Sequence, residues 1–201
     1  MDTTTRRAGT LIAAALIITV ITQLVYVTTL DGVGIVEGWP LRSTLWTIEL
    51  AAFGVIAVAS LAMMVRDAGR ALIWSALAIS GLFNIIQGGM GLSMFLPATE
   101  AGDQFAPIMG IIVAGAFLFY FFAKALLAMA GIGLGLVLFS STGTPAKAIG
   151  ILSILAGLAA AAINIFAIPQ GMTWVFEAGA AGTLAALTTG IAAWMVTRQA
   201  E

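Results

Sequence analysis

Residues 71–96, ALIWSALAISGLFNIIQGGMGLSMFL, form a run of 26 residues that contains no charged side chain. Because a helix rises about 1.5 Å per residue, this run predicts a helix of roughly 39 Å, which can cross the hydrocarbon core of a bilayer with some tilt. Asn84 and Gln87 lie three residues apart near its middle, so both side chains leave the same helix face. Hydrocarbon offers these amides no hydrogen-bond partner, so we expect that face to contact protein or enclosed water.

The composition of the whole chain predicts the same kind of structure. Of the 201 residues, 61% are hydrophobic and 8% are charged, whereas soluble domains carry about 25% charged residues. We therefore predict an all-α, polytopic transmembrane helix bundle that forms a single membrane domain over residues 1–201. The formal net charge of -1 gives no reason to expect nucleic acid as a partner. The expected partner is the lipid bilayer, and other membrane subunits or further copies of the chain remain open.

The chain contains no cysteine and no histidine. This excludes disulfides, cysteine nucleophiles, histidine-ligated haem, the usual zinc sites and histidine-based catalytic triads. The four aspartates, Asp2, Asp31, Asp67 and Asp103, fall outside the apolar runs, so a pair of intramembrane aspartates is excluded too. We expect no cofactor, no metal site and no catalytic residue, and we predict that the protein is not an enzyme.

Seven apolar segments follow one another along the chain. Six are predicted to span the membrane, at about residues 8–30, 44–65, 71–96, 107–130, 148–168 and 173–196. The seventh, residues 131–141, is ambiguous, because the 35 residues from Pro107 to Ser141 contain one charge, Lys124. That length is too great for one span of about 20 residues and barely enough for two of about 17. Either 131–141 is a re-entrant segment after a span that ends near Ala130, or it completes a seventh span.

Basic residues favour six spans plus the re-entrant segment. By the positive-inside rule, Lys and Arg concentrate in cytoplasmic loops. With six spans, six of the eight bases lie on one side, whereas seven spans move two of these to the other side. The six are Arg6, Arg7, Arg66, Arg70, Lys147 and Arg198. We therefore predict a multi-pass protein of the cell membrane with a cytoplasmic N-terminus, and we expect a prokaryotic inner membrane.

With six spans, seven polar or acidic side chains from five helices fall between the membrane middle and the outer surface. They are Gln23, Tyr26, Glu49, Asn84, Gln87, Asn164 and Glu177. Glu49 and Glu177 are their only formal charges, and each follows a tryptophan by three residues. We predict that these side chains line a ligand-binding pocket open to the outside, which binds or transports a proton, a cation or a small polar solute. The two carboxylates would supply charge, and the amides would orient the ligand.

Each of these residues also has a structural interpretation. The amides of Asn84 and Gln87 could form hydrogen bonds between neighbouring helices. The two glutamates could be boundary residues that reach headgroup water, and Tyr26 and the tryptophans suit an interfacial aromatic belt. Lys124 is interpreted as snorkelling to the inner surface. The alternative function is an accessory or scaffold subunit of a larger membrane complex. An intramembrane lipid-modifying enzyme is disfavoured, because the sequence places no nucleophile or metal cluster.

Glycines predict one close helix contact. Gly131 and Gly135 have the small-xxx-small spacing that lets two helix backbones approach each other. We expect this face to pack directly against another helix, whichever number of spans is correct.

Overall fold

The computed structural model describes residues 3–198, which form helices joined by short turns, and no strand occurs in that range. Asp2 and the end of the C-terminal tail lie outside the described residues. Five helical stretches are long and apolar enough to cross a membrane. They are Thr3–Leu30, Trp39–Arg66, Ala68–Glu100, Asp103–Phe139 and Thr144–Val196. The predicted all-α fold is therefore confirmed for the described part of the chain, and its helices are compatible with a membrane protein.

The last of these stretches reverses direction at Gly171, whose φ of 62° and ψ of -132° are not helical. Glycine adopts such a conformation because it has no Cβ. The arms on either side of the short 3-10 segment Ile168–Trp174 pack against each other, so the described chain has six long helices. We name them α1 (Thr3–Leu30), α2 (Trp39–Arg66), α3 (Ala71–Met90), α4 (Ala106–Phe139), α5 (Thr144–Ala167) and α6 (Val175–Val196). A π-helical turn, Gly91–Phe95, and a short helix, Leu96–Glu100, extend α3.

Helix α4 is one continuous helix of 34 residues with no break at Lys124 or at Gly131. The predictions of seven apolar segments and of a re-entrant segment at 131–141 are therefore wrong. At about 1.5 Å per residue α4 is roughly 51 Å long, and Met109, Ile112 and Val113 in its first turns pack against the cluster of Trp46, Phe95 and Ala116. The length limit that suggested a second span does not apply, because one continuous helix can be longer than the hydrocarbon core is thick.

The helices pack in chain order, and α6 closes the bundle by contacting both α1 and α4. Because the connections are short, consecutive helices are antiparallel, and the start of α1 and the end of α6 lie at the same end of the bundle. We call this end the basic end, since the six bases Arg6, Arg7, Arg66, Arg70, Lys147 and Arg198 all lie on or beside helix termini there. The other end is called the opposite end.

Helices α4 and α5 approach each other closely through glycines, as predicted for Gly131 and Gly135. A Cβ on Gly135 would lie 2.7 Å from the carbonyl oxygen of Gly150, and a Cβ on Gly150 would lie 2.7 Å from that of Gly135. The Ser153 hydroxyl donates a hydrogen bond to the Gly131 carbonyl at 2.8 Å. The prediction of close packing at this face is confirmed, and it fixes α4 against α5 over several turns.

Candidate functional site

Glu49 is a carboxylate of α2 that faces the neighbouring helix α1. It lies ten residues after Trp39, the first residue of α2, which places it about 15 Å along the helix from the opposite end. The hydroxyl of Thr22 on α1 donates a hydrogen bond of 2.7 Å to Oε1 of Glu49. No other described residue donates a hydrogen bond to this carboxylate. Glu49 is thus held from one side and keeps acceptor capacity for a further donor.

Lys124 of α4 provides a second formal charge inside the bundle. Its side chain is only 5% exposed, and its Nζ atom lies 5.2 Å from the ring centroid of Tyr120 and 5.9 Å from that of Phe53 on α2. The interpretation that Lys124 snorkels to the surface is wrong. Helix α4 continues for about 22 Å past Lys124 to Phe139, and the ammonium turns towards α2 instead.

Glycines of α6 make the space that Lys124 and Tyr120 occupy. A Cβ on Gly182 would lie 2.9 Å from Cδ of Lys124, and a Cβ on Gly179 would lie 3.1 Å from the Tyr120 hydroxyl. Because these two glycines have no side chain, the α4 side chains pack directly on the α6 backbone. The position of the ammonium therefore depends on α6 as well as on α4.

The charges of Glu49 and Lys124 act on each other, but their nitrogen and oxygen atoms do not come within the 4.0 Å of a salt bridge. An ammonium has three N–H donors. Within residues 3–198 the Lys124 ammonium has no hydrogen-bond acceptor, and it lies beside the two aromatic rings. We call this group the interior site and define it as Thr22, Glu49, Phe53, Tyr120 and Lys124. The interior site combines the unpaired N–H donors of Lys124 with the free acceptor capacity of Glu49, and its formal charge is zero.

An aromatic layer lies one helical turn from the interior site, towards the opposite end. Tyr26 follows Thr22 by four residues, and Trp46 precedes Glu49 by three. The rings of Tyr26 and Trp46 stack with centroids 6.1 Å apart, and Phe95 meets Trp46 edge-on at 5.7 Å. We call these three residues the aromatic cap. Trp46 is buried in it, so its interpretation as an interfacial belt residue is wrong.

Arg42 and Gly91 hold the aromatic cap in place. The Arg42 guanidinium is buried and donates hydrogen bonds to the Tyr26 hydroxyl and to the carbonyl of Leu30, at 3.3 Å for the latter. Gly91, in the π-helical turn, lies against the Trp46 ring, and a Cβ there would be 2.9 Å from the ring edge. Arg42 thereby fixes the end of α1, and Gly91 lets α3 approach α2.

The buried asparagines bond helix backbones. Asn84 donates to the Ser80 carbonyl of its own helix at 2.9 Å, and the Ser80 hydroxyl donates to the Ala123 carbonyl of α4 at 2.7 Å. Asn164 donates to the Ala178 carbonyl of α6 at 3.2 Å, and its Oδ1 atom is buried without a partner. These bonds link α3 to α4 and α5 to α6 next to the interior site.

The remaining predicted site residues lie outside this arrangement. Gln23 and Gln87 are partly buried and make no side-chain hydrogen bond to another described residue. Glu177 is exposed in the first turn of α6 and makes no side-chain hydrogen bond to another described residue. The structure thus brings Tyr26 close to Glu49 but leaves Glu177 apart from both. Lys124 was missed, although its isolation in an apolar run was the available signal.

No group of three or more acidic side chains suited to a metal ion occurs in the described part of the chain. Neither a protein-family model, nor a curated protein, nor a solved structure matches the chain. The function is therefore inferred from the geometry of the interior site.

Proposed function

We propose that the protein is a small membrane transporter that binds a proton or a small polar solute at the interior site and passes it through the helix bundle. The observation that carries this proposal is the buried Lys124 side chain, whose ammonium has no hydrogen-bond acceptor among residues 3–198 although it is close enough to Glu49 for their charges to interact. A pair with a purely structural role is expected to close into a direct, hydrogen-bonded salt bridge, because burying charges otherwise costs several kcal/mol. An open pair suits a guest that bonds to both groups.

The proposed topology has six crossings, with both termini and the basic end in the cytoplasm. It rests on the antiparallel order of the six helices and on the six bases that this order gathers at one end. Glu49 then lies in the outer half of the bundle, about 15 Å from the start of α2. The interior site would face the extracytoplasmic side through the aromatic cap.

The charges narrow the class of ligand. Lys124 faces the same space as Glu49, so a metal cation or an organic cation would be repelled by the ammonium. A proton, or a neutral or zwitterionic solute with both donor and acceptor atoms, matches a site of zero formal charge. Among the sequence-based possibilities, we therefore retain the proton and the small polar solute and set the simple cation aside.

Access to the site is proposed to depend on the aromatic cap. The cap covers Thr22 and Glu49 from the opposite end, and Phe95 belongs to the π-helical turn that extends α3. Single π-helical turns are frequent at functional sites in helices. A small shift of this turn would move Phe95 off Trp46 and open a path to Glu49.

Flux measurements in liposomes test the proposal. The purified protein is reconstituted with a pH-sensitive dye inside, and proton flux is followed after a pH step, first alone and then with each of a set of small amides and zwitterions. Wild-type protein should raise the flux above that of empty liposomes, and E49Q and K124M should each reduce it at least tenfold. E177Q removes a carboxylate outside the site and should leave the flux unchanged.

Two results would overturn the proposal. The first is equal flux through wild-type protein, E49Q and K124M. The second is that wild-type protein moves neither protons nor any tested solute. In that case, a membrane partner that co-purifies in stoichiometric amount would favour the accessory-subunit alternative.

A further inference from the structure

A groove runs between α1 and α6 at the basic end, away from the interior site. It consists of two adjoining surface cavities that share Thr10. The first, which we call the apolar groove, has a volume of about 370 Å³ and is lined by Thr10, Ala13, Ala14, Ile17, Ile191 and Trp194. The second, which we call the basic mouth, is lined by Thr3, Arg6, Arg7, Thr10, Leu11 and Arg198.

Small residues create the apolar groove. Gly9 of α1 lies directly against the Thr197 side chain, and Gly190 of α6 lies against Leu16, where a Cβ would be 3.3 Å from Cβ of Leu16. These contacts bring the two helix backbones together. Ala13 and Ala14 then form the floor of the groove, and larger side chains stand on both sides of it.

The basic mouth places positive charge at one end of this apolar surface. Arg7 and Arg198 are both exposed, and neither forms an ion pair with another residue in the range 3–198. The Arg198 guanidinium lies over the Trp194 ring at 4.4 Å from its centroid. Trp194 lines the apolar groove, so the cation–π contact holds a positive charge where the groove begins.

We propose that this groove binds an anionic phospholipid, with its phosphate at Arg7 and Arg198 and one acyl chain in the apolar groove. The charge of the mouth complements a phosphate, and basic pockets between transmembrane helices are suited to anionic headgroups. From Thr10 to Ile17 the groove extends about 10 Å along α1, enough for the upper part of an acyl chain. A free anion would use the mouth alone and leave the apolar groove unfilled.

Native mass spectrometry of the detergent-solubilised protein tests this inference. The protein is titrated with dioleoylphosphatidylglycerol, with dioleoylphosphatidylcholine and with inorganic phosphate. We expect phosphatidylglycerol to bind more tightly than phosphatidylcholine, and R198Q to weaken phosphatidylglycerol binding about fivefold. K147Q removes a base from the same end but outside the groove, so it should bind phosphatidylglycerol as the wild type does.

A second pair of variants tests the apolar part. A14W fills the groove and keeps both arginines, so it should lose phosphatidylglycerol binding, whereas A159W adds the same ring to an exposed position of α5 and should keep it. Equal binding of the two lipids, or equal effects of R198Q and K147Q, would overturn the proposal. So would displacement of phosphatidylglycerol by inorganic phosphate at equal concentration, which would indicate a plain anion site.

Discussion

The coupling between Glu49 and Lys124 is measurable with a double-mutant cycle that uses E49Q and K124M. Two unit charges 4 Å apart interact by about 4 kcal/mol at an effective dielectric constant of about 20. The charged atoms of Glu49 and Lys124 are farther apart than the 4.0 Å of a salt bridge, so the coupling must be smaller than that. We expect a coupling free energy of about 1–3 kcal/mol.

Each single variant leaves the other charge inside the bundle without compensation. E49Q keeps the Lys124 ammonium, and K124M keeps the Glu49 carboxylate, so both should lower the free energy of unfolding. The double variant removes both charges and should be less destabilised than the sum of the two single variants. Unfolding by SDS in mixed micelles, followed by tryptophan fluorescence and circular dichroism, supplies the four free energies.

A second cycle with E177Q and K124M is the matched control. Glu177 is exposed in the first turn of α6, outside the interior site, so the two changes should add within about 0.5 kcal/mol. The reasoning is refuted if the Glu49 cycle is also additive within that margin, or if the Glu177 cycle shows equal coupling.

Two glycine variants give further predictions, with G110A as their common control because a methyl group there meets open space. G150A places a methyl group 2.7 Å from the Gly135 carbonyl oxygen, so it should lower the free energy of unfolding by about 1–3 kcal/mol. If G150A and G110A unfold at the same temperature in detergent, this prediction is wrong. G182A places a methyl group 2.9 Å from Cδ of Lys124, so it should lower flux in liposomes several-fold relative to G110A. Unchanged flux would mean that the position of Lys124 does not matter for transport.

The helical class could be predicted from the sequence because a bilayer leaves few alternatives. Backbone groups in hydrocarbon must form their hydrogen bonds internally, so long charge-free runs such as 71–96 predict helices. The number of segments could not be predicted in the same way. The rule of about 20 residues per span assumes a helix no longer than the hydrocarbon core is thick, whereas α4 is one continuous helix of 34 residues.

The start of α2 also could not be predicted accurately from the sequence. Helix α2 begins at Trp39 rather than at residue 44, since Pro40 stands in its first turn, where a missing N–H is tolerated. The glycines, proline and charges before residue 44 are typical of a loop. A proline at the start of a helix and a proline in a loop are hard to tell apart from sequence alone.

The candidate site could be predicted only in part, as the two glutamates illustrate. Both follow a tryptophan by three residues, yet Glu49 lies ten residues into α2 and Glu177 two residues into α6. Depth in the helix, and not the local pattern, decides which carboxylate is enclosed. Lys124 was missed because its place depends on Gly179 and Gly182, and a single sequence does not reveal that α6 packs on this face of α4.

The state of the Lys124 ammonium in a bilayer tests the central claim most directly. The chain has two lysines, Lys124 and Lys147, so K147R labelled with ¹⁵N-lysine gives one side-chain signal in solid-state NMR. We predict that Lys124 Nζ is close to the Glu49 carboxyl carbon without a direct salt bridge, and that its protons exchange with mobile water. A closed salt bridge with protected protons would contradict the account and make the pair a structural one.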